Sequence, residues 1–403
     1  MRLPMIGLAA GLCLGAMLPG IASAQKAYDE GASDTEIKLG QTMPYSGPVS
    51  AAGASGQASV AYFEALNKAG GINGRKVKLL SADDVYSPPK TVEVTRRLVE
   101  SDGVLLMYGS VGTPTNAAVQ KYLNAKKIPQ LFLATGASRF KDPASAPWTL
   151  GLLPGYDAEG RALARYMLKT VPDPKIAILY QNDDLGKDFV AGFKAALGDK
   201  AQSLIVSQQS FEVSDPTISS QVVTAKASGA NVFFFAGTQK FGAMQIRTRY
   251  ELGWKPLHLI CSTSAGVAAV LKPAGLEASE GVVSTAYVKD PSDPALGDDP
   301  EVKQYLEWLQ TNMPQRSPGE GGLVVGYVAS YMMAEVLKAA GDTLTRANIM
   351  KIATSLKEFH APMLLPGIAF NTSPTNYNMI DRFQIQQFKS GAWTSVGDLI
   401  SGQ

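Results

Sequence analysis

The side chains best suited to chemistry are few and scattered. Asp183 and Asp184, in "QNDDLG", form an adjacent carboxylate pair at the end of an apolar run. Two acids can share acid and base roles, and an amide hydrolase is the enzyme such a pair would serve. At a strand-to-helix turn, adjacent acids more often act as an N-cap and a first-turn acid, and that reading is preferred. His258 and His360 are the two histidines and stand far apart. No H-E-x-x-H or C-x-x-C spacing accompanies them, so no metal centre and no cofactor are expected. Cys261 follows the apolar run "LHLI" and reads as a small buried hydrophobe. G-x-x-x-x-G-K-[ST] and G-x-G-x-x-G are absent, and "YGSVG" lacks the first glycine of a hydrolase elbow. These features point away from an enzyme.

What remains are loops built from glycine and hydroxyls. "PYSGPVSAAG", "GSVGTPT", "ATGAS", "NDDLG", "GTQKFG" and "STSAG" carry little charge, and each follows an apolar run. Those runs alternate with helix-period segments. "EIKLGQTM", "RKVKLLSADD", "GVLLMYG" and "IPQLFLAT" read as strands, separated by helices around "SGQASVAYFEALNKAGG", "PPKTVEVTRRLVESD" and Pro114. The alternation restarts after "TLGLLPGYD" with "KIAILYQNDD", "SLIVSQQSF", "NVFFFAG" and "PLHLICST" as strands. An α/β fold follows, with parallel sheets covered by helices and two lobes of similar build. "GGLVVGYVASYMMAEVLKAAGD" is a long helix whose Tyr327, Tyr331 and Met332 read as core, and "DRFQIQQFKSGAW" reads as two strands around Ser390-Gly391. In open α/β sheets ligands sit beyond the carboxyl ends of the strands, where these loops gather. Helix N-termini there offer unpaired N–H groups and a partial positive charge, enough to hold a carboxylate without a formal cation.

Composition is that of a globular chain: 403 residues, 45% hydrophobic and 18% charged. Lys+Arg 37 against Asp+Glu 35 gives a net charge of +2, and no basic run with interleaved aromatics favours nucleic acid. The opening "MRLPMIGLAAGLCLGAMLPGIASAQ" has a charged start, an apolar stretch and Ala22-Ser23-Ala24. It reads as a signal peptide cleaved after Ala24 and predicts a periplasmic mature chain. Cys13 lies too early and behind Leu12 for a lipid acceptor. Cys261 is then the single mature thiol.

The sequence resembles the periplasmic substrate-binding proteins of the branched-chain amino acid type, the capture components of ABC importers. The resemblance rests on "IKLGQTMPYSGPVSAAGASGQASVAYFEALNKAGGINGRKVKLLSADD", on "GSVGTPTNAAVQKYLNAKKIPQLFLATGAS" and on "YVASYMMAEVLKAAG". It implies two Rossmann-like lobes with parallel central sheets, joined by three crossover strands and closing on ligand. The crossovers would fall near Trp148–Leu152, Val283–Tyr287 and Asp381–Phe383. Lobe one would span 33–149 and 286–380, and lobe two 150–285 and 381–403. The disulfide that some members carry in lobe one is absent, in keeping with one thiol.

Site residues follow from the resemblance position by position. Gly109, Ser110, Gly112 and Thr113 match the turn that grips the ligand carboxylate. Ala134, Thr135 and Gly136 match the next strand end. Tyr45 and Ser46 occupy the first loop. Asp184, Leu185, Thr238, Phe241, Ser262 and Ser264 match lobe-two loops that close over the ligand, and Tyr156 adds to an apolar wall. Two departures bear on the ligand: Leu185 stands where an aromatic is usual, and "CSTSAG" holds no acid to pair with an ammonium. A buried ammonium without a partner is costly, so the expected ligand is a carboxylate with an apolar or aromatic body, an aromatic or branched-chain acid or an amino-acid-like metabolite. The expected partners are that small molecule and an inner-membrane permease, with no nucleic acid and a monomeric state. A periplasmic sensor that presents ligand to a chemoreceptor is the alternative, and the amide hydrolase ranks third.

Overall fold

The computed structural model describes residues 26–403. The signal-peptide segment, Cys13 and the cleavage position after Ala24 lie outside the described residues. Two sheets organise the chain. The first holds β1 (Glu36–Met43), β2 (Lys76–Asp83), β3 (Leu106–Tyr108), β4 (Gln130–Leu133) and β5 (Thr149–Gly151). Its order is β2-β1-β3-β4-β5 with every pairing parallel. The second holds β6 (Ile176–Gln181), β7 (Ile205–Phe211), β8 (Val232–Ala236), β9 (Leu257–Ile260), β10 (Val283–Ala286), β11 (Arg382–Lys389) and β12 (Ala392–Ser401). Its order is β12-β11-β10-β9-β8-β6-β7, and the pairings β10–β11 and β11–β12 are antiparallel.

Strand character follows position in the sheet. All five residues of β8, "VFFFA", are buried, as a central parallel strand covered on both faces requires. The edge strand β7 alternates half-buried with exposed residues until Phe211, so only one of its faces meets the core.

Helices cover both sheets. In the first half these are α1 (Ala54–Lys68), α2 (Pro88–Glu100), α3 (Thr113–Ala125), α4 (Tyr156–Thr170) and α5 (Asp184–Leu197). Asp183 caps α5, accepting from the Leu185 and Gly186 N–H groups, and Asp184 takes the first turn. The later helices are α6 (Ser219–Ala227), α7 (Gln239–Glu251), α8 (Pro300–Asn312), α9 (Gly321–Ala340) and α10 (Arg346–Ala353). By length and apolar composition α9 could cross a membrane, yet it lies against α1 inside the first lobe's core, with Tyr327 and Met332 buried and Tyr331 partly so.

The chain passes between the two lobes three times, after β5, after β10 and before β11. The first passage feeds α4, which is pressed onto α5. A Cβ on Gly192 would come within 1.9 Å of the Asp157 carbonyl oxygen, and one on Gly160 within 2.3 Å of that of Phe189. Only glycine allows two helix backbones to approach this closely. Arg161 and Arg165 bond the Gly402 and Ser401 carbonyls, which ties the chain end to the same helix.

The sequence reading and the structure part at short elements. "SLIVSQQSF" begins as a helical turn over Ala201–Leu204 and becomes strand at Ile205. "GVLLMYG" is strand only over Leu106–Tyr108, and Gly109, at a positive φ of 61°, ends it.

Candidate functional site

A cavity of about 730 Å3 lies between the lobes, within the size range of small-molecule sites. Lobe one contributes Tyr45, the stretch from Val49 to Ser55, Tyr86, Gly112, Thr113 and Ala134. Lobe two contributes Leu185, Thr238, Ser262, Thr263 and the segment from Ala265 to Ala269. The passages between lobes supply Leu153, Tyr156 and the run from Thr285 to Pro291.

The lobe-one wall is built around the start of α3. Gly112 is its N-cap residue, at φ 109°, and no side chain caps the helix. A Cβ on Gly112 would meet Thr115 Oγ1 at 2.4 Å and the Tyr86 ring at 2.6 Å, so the tight turn and the nearby aromatic both need glycine here. Gly112 and Thr113 at this helix start line the cavity; Pro114 has no N–H, and the Thr113 N–H reaches the Tyr86 phenol. The Thr113 and Thr135 hydroxyls are hydrogen-bonded at 2.7 Å. Tyr156 begins α4 and stacks on Phe189 with ring centroids 4.7 Å apart, a fixed apolar surface on that side.

Two cationic side chains among the described residues reach the cavity, Lys289, which is occupied, and Arg316, whose Nε has no hydrogen-bond partner. Lys289 is buried and holds Asp299 at 2.7 Å and Glu301 at 2.9 Å. Burial works against its ammonium, but these carboxylates outweigh it and raise its pKa. Arg316 pairs with Glu320 four residues on.

Half of the expected site residues line this cavity: Tyr45, Gly112, Thr113, Ala134, Tyr156, Leu185, Thr238 and Ser262. The others stand elsewhere, each for a visible reason. Ser46 donates its hydroxyl to Asp83. Ser110 Oγ accepts from the Thr42 N–H beneath the turn, next to Gly109. Thr135 sits behind Thr113, and Gly136 packs against the Pro154 carbonyl. Asp184 pairs with Arg139 at 2.9 Å. Phe241 is fully buried against Phe211, with centroids 4.5 Å apart. Ser264 donates to the Gly237 carbonyl.

Sequence reasoning missed two parts of the wall. One is the segment from Arg316 to Gly322, with Val324 and Val325 of α9 behind it. Its "RSPGEGG" composition marks a loop but says nothing of where that loop lies. The other is Glu159, which stands one layer behind Ser262. It is 1% exposed and accepts the Ser262 N–H at 2.6 Å and the Ser262 hydroxyl at 2.7 Å. Burial pushes its pKa up to about 7, opposed by these two hydrogen bonds and by the Thr285 hydroxyl. An acid thus backs the "CSTSAG" loop that has none of its own, delivered by a helix far away in sequence.

The family model of the periplasmic binding proteins matches residues 36–392. Among curated relatives, Leu/Ile/Val-binding protein homolog 3 of Brucella melitensis is 29% identical over 60% of this chain and 66% of its own length. Homolog 7 of Brucella suis is 23% identical over 96% of this chain and 95% of its own. Among solved structures, a branched-chain amino acid ABC transporter protein from Thermus thermophilus with bound valine aligns with a TM-score of 0.80 at 17% identity, covering 91% of this chain and 97% of that one. A fatty acid ABC transporter substrate-binding protein from Thermomonospora curvata aligns at 0.76 and 19% identity, covering 93% and 95%. At such identities the structures establish the shared two-lobed fold. The family match spans both lobes and the cavity between them, and the chain is accordingly a member of the type 1 periplasmic binding proteins of the Leu/Ile/Val-binding kind, a non-enzymatic family of ABC-transporter substrate-binding proteins.

Proposed function

We propose that this chain is the capture component of an ABC importer for a small carboxylate with an apolar or aromatic body. The observation that carries this reading is the start of α3. Gly112 and Thr113 line the cavity with no side-chain cap on the helix, Lys289 is paired with two acids, and Arg316 meets Glu320 through one nitrogen only, its Nε having no partner among the described residues. A ligand carboxylate then has a complementary seat at the helix N-terminus beside Thr113, with the Arg316 guanidinium as the cation on the same cavity wall. Around it the wall is largely apolar, from Val49 and Leu153 to Leu185, Val267 and Val325. That lining, in so large a cavity, suits a bulkier body than a small polar metabolite. The relatives named for Leu/Ile/Val binding, the valine-bound neighbour and the fatty acid neighbour bracket this class.

Function then runs through hinge closure. Lobe one (33–149 and 286–380) docks the carboxylate, and lobe two (150–285 and 381–403) covers the body. The three crossovers act as the hinge, and the closed form is presented to an inner-membrane permease. The mature chain is placed in the periplasm by cleavage after Ala24. A thermal-shift screen across aromatic acids, branched-chain acids, branched-chain amino acids, fatty acids and their uncharged esters tests the ligand class. Stabilisation by acids, lost in Thr113→Val and absent with the esters, is the expected result. Esters binding as tightly as their acids would overturn it.

A further inference from the structure

Glu159 is a buried carboxylate that no cation meets among the described residues. Such a group is expensive to keep unless its oxygens are well bonded. Here one residue supplies a donor to each oxygen: the Ser262 N–H reaches Oε1 and the Ser262 hydroxyl reaches Oε2. A serine hydroxyl has one proton and two lone pairs. Once Glu159 is ionised, above pH 7, the serine proton is committed to it and the face of Ser262 Oγ turned to the cavity has lone pairs alone.

A second polar group lies beside it. β9 and β10 pair in parallel with Leu259 opposite Val283, which brings Thr285 level with Cys261. Thr285 is 1% exposed and lines the cavity; its Oγ1 makes no close hydrogen bond among the described residues, and the carboxylate it faces is that of Glu159. A buried hydroxyl without a close partner is unusual in a folded protein, and here it borders the ligand space.

We propose that Glu159 is a positioning residue that fixes Ser262 Oγ as a hydrogen-bond acceptor, so that the ligand presents a neutral donor, a hydroxyl or an amide N–H, to the lobe-two wall. This deepens the carboxylate reading above and rests on it: the acid end sits at α3 and the donor faces Ser262 and Thr285. Glu159 does not line the cavity itself, so an ammonium would lack direct contact with its charge. The groups facing Glu159 leave it free to play this part. Cys261, on the strand before Ser262, has its thiol pushed up to about 11 by burial, and the Tyr287 phenol after β10 is raised likewise. Arg161 on the same helix turns to Asp157 and the Gly402 carbonyl, and Asp188 of α5 turns to Ser138. On β11 and β12, Arg382 and Asp398 are exposed.

The test measures affinity by calorimetry at pH 8, where Glu159 is ionised, for matched pairs that differ in the donor: 2-hydroxy- and 2-oxo-4-methylpentanoate, 4-hydroxy- and 4-methoxyphenylacetate, and the methyl esters of each. In the unaltered protein the hydroxyl member should bind about tenfold or more tightly in at least one pair, because a buried acceptor left unpaired is penalised. Glu159→Gln turns the carboxamide N–H toward Ser262 Oγ, releases the serine proton to the cavity, and should reverse that preference. Ser262→Ala should abolish it, and it serves as the check where Glu159→Gln does not fold. Equal weakening of both members in Glu159→Gln, or an unchanged preference in Ser262→Ala, overturns the assignment and leaves Glu159 a loop anchor only. Acids that bind without donor preference overturn this inference and spare the carboxylate reading. A preference seen only among esters does the opposite, and failure of every compound overturns both. Leucine binding more tightly than its hydroxy analogue would replace the neutral donor with an ammonium.

Discussion

The Ala268 N–H donates to the Gly319 carbonyl at 3.3 Å, joining the helical turn Val267–Leu271 after β9 to the loop before α9, both on the cavity wall. A Cβ on Gly319 would lie 4.0 Å from that of Ala268, inside the span of about 3.5–4.5 Å that a disulfide bridges. The double variant Ala268→Cys/Gly319→Cys should therefore oxidise readily, the buried Cys261 standing apart. Oxidised protein should neither take up nor release a labelled ligand until reductant is added. Rapid exchange through an intact crosslink would show that these segments do not gate the site.

The approach of α4 to α5 makes Gly192 intolerant of any side chain. Gly192→Ala forces a methyl into the Asp157 carbonyl, and overpacking of this kind costs about 1–3 kcal/mol. Urea midpoints should fall accordingly. Ligand affinity should drop as well, because Asp157 shares the first turn of α4 with Tyr156.

At Gly112 the effect should be on binding first. Gly112→Ala combines a φ of 109° with contacts to Thr115 and Tyr86, a strain of about 1–3 kcal/mol. The start of α3 would shift to relieve it. Calorimetry should show at least a tenfold loss of affinity for whichever acid the screen identifies, and unaltered binding would remove α3 from the site.

Glu159 should leave a signature in the pH dependence of stability. Its pKa is raised from an ordinary 4.5 to about 7. Below pH 4.5 folded and unfolded chains both keep the proton, and the stabilisation linked to it is fully present. As pH rises from there through 7 the unfolded chain ionises first, so that contribution is lost, on the order of 3 kcal/mol in total, and the curve flattens above. Urea unfolding at pH 5 and pH 8 should therefore show a fall in the unaltered protein that Glu159→Gln largely lacks.

The fold was legible because its signals are local. Apolar runs such as "NVFFFAG", helix periods, and Asp183 as a cap all act within a few residues, and the structure realises each. The loops at the strand ends could be read as well, since Gly, Ser and Thr cluster where helices begin. Which loop residue faces the cavity was not legible. Ser46, Ser110 and Ser264 carry the same hydroxyl as Ser262, and only their bonds to Asp83, Thr42 and Gly237 turn them elsewhere. Glu159 was hidden for a related reason. Its partner is 103 residues away, and within "YDAEGRAL" it looks like any first-turn acid of a helix.

Because Glu159 works from behind Ser262, the chemical preference of this site need not be written in the residues that touch the ligand. Two proteins with identical cavity linings, one with glutamate and one with glutamine at this place, would sort hydroxy acids from oxo acids in opposite ways. Comparing contact residues alone would group them together. A change of diet would then take one concealed substitution, with the surface that meets the solute left as it was.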